Sequence, residues 1–156
     1  DITMVEFMDY KCGYCKRAYS EVDKLLSADG NIRFIVKEFP ILGEQSVLAS
    51  RYVIAAKNVS GDEGYKAMHE ALMTFNGDIT LPVLTRLANT FGLDAAAIEA
   101  EMDSDAVTRE IAEKRAMAQR LRITGTPTFV MDDEMVRGYL PADQMQAIVD
   151  EKRENG

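Results

Sequence analysis

Cys12 and Cys15 are the only thiols in the chain, and they stand two residues apart, as Cys-Gly-Tyr-Cys, just after the apolar run Ile2-Thr3-Met4-Val5-Glu6-Phe7-Met8. A strand that ends in a short turn and then a helix sets the first sulfur at the helix N-terminus. There unpaired amide N–H groups and the positive end of the macrodipole favour a thiolate. The thiolate is the form that attacks and leaves in disulfide exchange, so this spacing points to thiol–disulfide chemistry. Access divides the roles. Cys12 precedes the helix and is expected to be exposed, the candidate nucleophile; Cys15 lies one turn inside, shielded, and resolves the mixed disulfide. Gly13 and Tyr14, beside the sulfur, are candidate substrate-binding positions, and neither carries a charge that would make the couple extremely oxidising. Half of a zinc site and an inert disulfide are the other readings of the pair. Zinc needs about four ligands, and besides the two cysteines the chain holds the single His69, far off in sequence.

Three further positions complete the candidate site. Thr126-Pro127 precedes the apolar run Thr128-Phe129-Val130-Met131. If that bond is cis, the Thr126 backbone becomes an edge beside the disulfide with which an extended substrate can pair; if trans, Pro127 is an ordinary loop proline. Glu6 is a carboxylate inside an apolar strand. Buried, it has a raised pKa and can move protons to and from Cys15; on a half-exposed strand it faces solvent. Lys37, at the end of the neighbouring strand, is its candidate partner. His69 is expected at the surface or partly packed, without a role. The nine methionines read as core filler, with Met8 the one to watch for substrate contact.

The elements that must hold these residues can be traced from periodicity and punctuation. Thr3 to Met8 reads as a strand, about Gly13 to Asp29 as a helix with Gly30 as a left-handed stop, and Ile32 to Phe39 as a second strand. From about residue 45 to 121 short helices follow one another. One is broken between Asn58 and Gly61, and a second runs from Tyr65 to Phe75. Thr80 caps a third with Pro82 in its first turn, Asp94 a fourth, and Ser104 or Asp105 a fifth. Strands resume at Thr128–Met131 and Met135–Gly138 around a turn at Asp132-Asp133, and a helix follows Pro141. The order βαβ, helical block, ββα implies one α/β sheet assembled from both ends of the chain, with the helical block an insertion over its thiol end. A length of 156 residues with 47% hydrophobic content suits a single domain spanning 1–156.

Charge and hydropathy narrow the partners. Eighteen basic against 26 acidic residues leave a net charge of −8, which disfavours nucleic acid and anionic membranes. No run of about twenty apolar residues is present to span a bilayer. The chain begins almost directly in a strand without a basic-then-apolar leader, and the expectation is that a leader was removed.

The segments Val5-Glu6-Phe7-Met8-Asp9-Tyr10-Lys11-Cys12-Gly13-Tyr14-Cys15 and Gly125-Thr126-Pro127-Thr128-Phe129, with the helical block between them, resemble the DsbA-like branch of the thioredoxin superfamily over nearly the whole chain. The resemblance implies a thioredoxin-like sheet with a helical insertion, a cis Pro127, Glu6 as the family's buried acid and Lys37 as its basic partner. It also implies a bacterial periplasmic or envelope location. The activity implied is that of a protein disulfide oxidase or isomerase acting on protein or peptide thiols, with no cofactor beyond the Cys12–Cys15 disulfide and with a recycling redox partner. Gly-Tyr stands where the family often has Pro-His, and the family's usual structure before the first strand is almost lacking. Two readings from other classes stay open: an envelope copper- or zinc-binding protein that uses the thiol pair, and a non-catalytic binding module on the same fold.

Overall fold

The computed structural model describes residues 1–156. Strands β1 (Ile2–Met8) and β2 (Ile32–Glu38) flank helix α1 (Gly13–Ala28). Helices α2 (Glu44–Met73), α3 (Leu81–Thr90), α4 (Ala95–Glu101) and α5 (Asp105–Arg120) follow. The chain closes with β3 (Thr128–Met131), β4 (Glu134–Arg137) and α6 (Ala142–Asn155). The four strands form one sheet in the order β2-β1-β3-β4, with β1 and β2 parallel and the other two pairings antiparallel. The two ends of the chain thus share a sheet, and α2 to α5 are inserted between its halves: a thioredoxin-like fold with a helical insertion.

Local chemistry explains most boundaries. Along α1 the buried residues Cys15, Ala18, Val22 and Leu25 recur every three or four positions, which gives one inward stripe. Thr80, Asp94 and Ser104 cap α3, α4 and α5, their side-chain oxygens accepting the N–H groups of Val83, Ala97 and Val107. Gly61, at φ 74° and ψ −165°, divides α2 into two helical pieces, a backbone state that an L side chain would strain. Gly30 is not the stop of α1. The helix ends on extended Asp29, whose N–H donates to the Leu25 carbonyl and whose carboxylate is clasped by Arg153 of α6. The β3–β4 turn uses Asp132 at φ 53°. Its backbone N–H donates to the Thr3 carbonyl and its side chain accepts the Thr3 N–H, pinning the hairpin to β1.

Sheet alternation sorts the layers. Met4, Phe129 and Met131 face α1 and α6, packing with Ala18, Val22, Leu25 and Met145. Phe7 faces the other way, onto Phe39, Ala118 and Ile123 at the end of α5. The largest buried cluster is neither of these. It is the helical insertion itself, and it takes in Met8, Tyr10, Cys12 and Cys15 along with Tyr52, Val53, Met68 and Leu72. The insertion is therefore the wall against which the thiols pack. Met8 is fully buried in that wall, out of reach of any substrate.

Asp9, immediately after β1, holds the loops around this junction together. One carboxylate oxygen accepts the Lys11 N–H and the Ser46 hydroxyl, each at 2.7 Å. The other accepts the N–H groups of Ile41 and Leu42 at 2.8 and 3.1 Å. One side chain thus fixes the turn into α1 and the turn leaving β2 relative to each other. Replacing Asp9 with Ala leaves four donors without an acceptor, each costing about 1–3 kcal/mol where water cannot enter. The expected result is a loss of at least about 3 kcal/mol in urea unfolding, with Asp9→Asn, which keeps one acceptor oxygen, losing less.

Candidate active site

Helix α1 begins on a sulfur. Cys12 is the N-cap, with extended backbone (φ −83°, ψ 115°), and its Sγ accepts the Cys15 N–H at 3.2 Å in the position usually taken by a serine or aspartate oxygen. The Cys15 thiol donates to the same sulfur, and this is the largest influence on Cys12. It draws the Cys12 pKa down to about 6 against the opposing effect of burial, with the Thr126 hydroxyl and the Cys15 N–H adding to the lowering. Cys15 moves the opposite way and is driven far up. The hydrogen bond its thiol gives Cys12 contributes most, then burial, then repulsion from the Cys12 thiolate and, more weakly, from Glu6. One sulfur is set to be a thiolate at neutral pH and its neighbour a thiol. Access follows the same division, although less widely than the spacing suggests: Cys12 is 6% exposed and Cys15 not at all. The two cysteines are unlinked.

What narrows the approach to Cys12 is the loop before β3. Pairing of Phe7 with Thr128 in the antiparallel β1–β3 ladder brings that loop beside the start of α1. The Thr126–Pro127 peptide bond is cis. The Thr126 carbonyl lies 3.4 Å from Cys12 Sγ, close enough to accept from it in the thiol form. On the outer rim, Gly13 and Tyr14 are exposed, Tyr14 at 59%. The Arg17 guanidinium stands 5.3 Å from the Tyr14 ring centre and 5.8 Å from that of Tyr139. Lys11 and Lys16, the cations nearest the pair in sequence, are turned to other work. Lys11 Nζ donates to the Gly77 carbonyl, and Lys16 Nζ to those of Leu72 and Phe75, tying α1 to the insertion.

Beneath the thiols lies Glu6, buried at 4% exposure, with Oε2 lacking any hydrogen-bond partner. Burial first, then repulsion from the Cys12 thiolate and from Glu38, raise its pKa to about 8. Lys37 does not supply the expected counter-charge. In the β1–β2 register Glu6 sits opposite Val36, while Lys37 sits opposite Phe7. The lysine is therefore on the other face of the sheet, among Glu110, Lys114 and Lys57, and cannot reach Glu6.

Besides Asp9, sequence reasoning missed another buried acid. Glu38, at the end of β2, accepts the hydroxyls of Tyr10, Tyr65 and Ser50. Burial raises its pKa to about 7 despite those three donors. His69 belongs to the same knot, with Nδ1 2.9 Å from the Tyr10 hydroxyl and its ring stacked on Tyr65. Rather than lying at the surface, it is enclosed, and burial lowers its pKa to about 4. No periodic signal marks Glu38 in the sequence, since it lies between Lys37 and Phe39 at a strand end.

The free carboxyl of Glu6 has a pH signature. The unfolded chain ionises it near 4.5 and the folded chain near 8, so between those values the unfolded state has released a proton that the folded state keeps, and stability falls as pH rises. Glu6→Gln removes that loss. In urea unfolding of the reduced protein the variant is expected to match the parent at pH 4 and to exceed it at pH 8 by on the order of 3 kcal/mol. A variant destabilised at pH 8 and less so at pH 4 would mean that Glu6 is ionised and paired in the fold.

The chain has clear relatives. A family model described as the DSBA-like thioredoxin domain matches residues 3–150. A thioredoxin-like oxidoreductase from Silicibacter pomeroyi DSS-3 superposes with a TM-score of 0.92 at 42% identity, covering 99% of this chain and 87% of that one. Disulfide bond formation protein D of Bacillus subtilis (strain 168) is 23% identical over 163 residues, 97% of this chain and 72% of its own length. The Na(+)/H(+) antiporter NhaA 1 of Salinispora arenicola (strain CNS-205) is 26% identical over 149 residues, 95% of this chain and 22% of the antiporter. The chain spans less than a quarter of the length of the curated antiporters it matches, and none of its own helices is long and apolar enough to cross a membrane. With a family match over almost every residue and a closely superposing relative at 42% identity, the chain belongs to the DSBA-like thioredoxin domain family and has a thiol–disulfide oxidoreductase fold with Cys12 and Cys15 at the start of α1.

Proposed function

We propose that the protein donates disulfides to protein or peptide thiols through Cys12. The observation that carries this reading is the N-cap hydrogen bond from the Cys15 N–H to Cys12 Sγ, which favours a thiolate at Cys12, while Cys15 lies fully enclosed one turn inside. In the oxidised protein a substrate thiolate attacks Cys12 Sγ. The Cys12–Cys15 bond breaks, the mixed disulfide forms, and Cys15 leaves with the electron pair. Cys15 is a poor thiolate and takes up a proton, for which Glu6, the buried acid beneath it, is the source. A second substrate thiolate then attacks the substrate sulfur and expels Cys12 as the thiolate that its N-cap position stabilises. The substrate leaves oxidised and the protein reduced, to be reoxidised by a redox partner. Run backwards, the same steps reduce or reshuffle substrate disulfides. Stabilisation of Cys12 in the reduced form favours donation, which supports an oxidase over an isomerase.

Substrate binding in this reading is by backbone. An extended chain pairs with Thr126 beside cis Pro127 and passes over Gly13, with Tyr14 offering an aromatic surface. An oxidising compartment such as a bacterial periplasm or envelope suits a disulfide donor. A zinc site would require further ligands gathered at the thiols, and no group of three or more His, Cys, Asp or Glu side chains is placed to hold a metal ion. Nothing in the geometry favours it.

Two measurements test the proposal. Thiolate absorbance of the reduced protein is expected to titrate with a midpoint near pH 6, and Cys15→Ala, which removes the strongest donor to Cys12, is expected to move that midpoint up by about one unit or more. A first sulfur still protonated at pH 8 would sink the mechanism. In oxidative refolding of a reduced protein substrate, Cys12→Ser is expected to reduce the rate to the uncatalysed background; with a disulfide-bonded protein substrate, Cys15→Ser, lacking its resolving thiol, accumulates the mixed disulfide formed when Cys12 attacks that bond. Full activity in Cys12→Ser would refute the role of that residue.

A further inference from the structure

The outer face of α1 carries a cation that the exchange steps leave unused. Arg17 is exposed, no carboxylate pairs with it, and no protein acceptor takes its guanidinium N–H groups. Instead the guanidinium stands between two rings, 5.3 Å from the centre of Tyr14 and 5.8 Å from that of Tyr139. Both are within the cation–π range of about 6 Å. A long side chain on a helix leans back over the turn before it, and the contact with Tyr14 brings the charge to the first turn of α1, beside the thiols. Tyr139 fixes the other side. It follows Gly138, at φ 99°, whose N–H donates to the Pro127 carbonyl at 2.8 Å. The cation thus lies on the Thr126–Pro127 side of the helix, where an extended substrate pairs in the reading given above.

The acids nearest Arg17 are committed elsewhere. Glu21, one turn along α1, is paired with Lys24 at 2.9 Å and accepts the Ala142 N–H, and Asp143, at the start of α6, accepts the Gln144 N–H. Stacking occupies the faces of the guanidinium and leaves its edge, a planar fork of N–H donors, open to a carboxylate. The two rings also restrict the side chain before a partner arrives, so less freedom is lost on pairing. We infer that Arg17, held by Tyr14 and Tyr139, selects thiol substrates that carry an aspartate or glutamate close to the reacting cysteine. In an extended chain every second residue points the same way, about 7 Å apart, so the acid belongs two residues before or after that cysteine. At a net charge of −8 the chain as a whole repels acidic partners, so a preference for acid at one position marks a local contact. The inference rests on the thiol-exchange reading for its class of substrate.

The test uses peptides with a single cysteine, activated as the pyridyl disulfide, and with Glu, Gln or Lys two residues before or after it. The Cys12 thiolate of the reduced protein attacks the peptide sulfur, the mixed disulfide forms, and pyridinethione leaves with the electron pair, so its absorbance gives the second-order rate. A flanking charge alters the peptide's own reactivity, and a change at Arg17 alters that of Cys12. Both cancel when the Glu-to-Gln rate ratio of the parent is divided by that of Arg17→Gln. At one or both positions this quotient is expected to reach about five-fold. Arg17→Glu is expected to turn the preference towards Lys, and Arg86→Gln, which removes the same charge from the exposed side of α3, to keep the parent's ratios. A quotient of one at both positions overturns the inference. Failure of the exchange reading looks different: no peptide reacts, whatever its charge. Recognition is then read by NMR titration with the same peptides carrying Ser for Cys, where the Glu peptide is expected to shift the Arg17 Nε–H resonance saturably and the Lys peptide is not. An equal response to both overturns the inference.

Discussion

The hydrogen bond from the Cys15 N–H to the Cys12 sulfur ties the secondary structure of this protein to its chemistry. A helix must satisfy its first amides, and here the acceptor that does so is the sulfur we propose to exchange bonds with substrate. The contact that starts α1 therefore also stabilises negative charge at Cys12, and the Cys15 thiol strengthens the effect from one turn inside. The surrounding structure keeps this arrangement in place. Asp9 fixes the turn into the helix, Lys16 ties the first turn to the insertion, and the β1–β3 register brings Thr126 up to the sulfur from the opposite side.

Three buried carboxylates within one layer show how environment assigns different tasks to the same functional group. Asp9 accepts four hydrogen bonds and acts as a structural staple. Glu38 accepts three hydroxyls and joins β2 to both pieces of α2 through Ser50 and Tyr65. Glu6 has an oxygen with no partner and a raised pKa. A carboxyl surrounded by donors is a poor proton carrier, because the fold has already committed its lone pairs. The unsatisfied one, Glu6, has no such commitment, and it is the one proposed as the proton source for Cys15.

The helical insertion contributes the largest buried cluster, so it acts as more than a cover. By enclosing Cys12 and Cys15 on one side it removes water from the thiol pair, which pushes Cys15 up and makes the hydrogen bonds to Cys12 count for more. It also brings in Tyr65 and His69, which close the space behind α1. A smaller protein with the same βαβ and ββα halves would leave both the thiols and that space open to solvent.

Much of this was legible in the chain itself. Cys-Gly-Tyr-Cys after a strand, the βαβ and ββα halves, the break before Gly61, and the caps at Thr80, Asp94 and Ser104 are local statements, carried by residue type, spacing and backbone preference, and they hold in the fold. What the tertiary structure alone decided depends on register and enclosure. Glu6 reads as buried or exposed until β3 and α1 cover its face, and Lys37 looks like its partner until the parallel register puts the two on opposite sides of the sheet. Glu38 meets Ser50 and Tyr65, 12 and 27 residues along the chain, and Tyr10 meets His69, 59 residues along it, only because the insertion folds back over the sheet. Local sequence determines which groups a segment carries and how its backbone bends, whereas a pKa or a hydrogen-bond partner is set by whichever distant segment excludes water, and that information is not held in any one stretch of the chain.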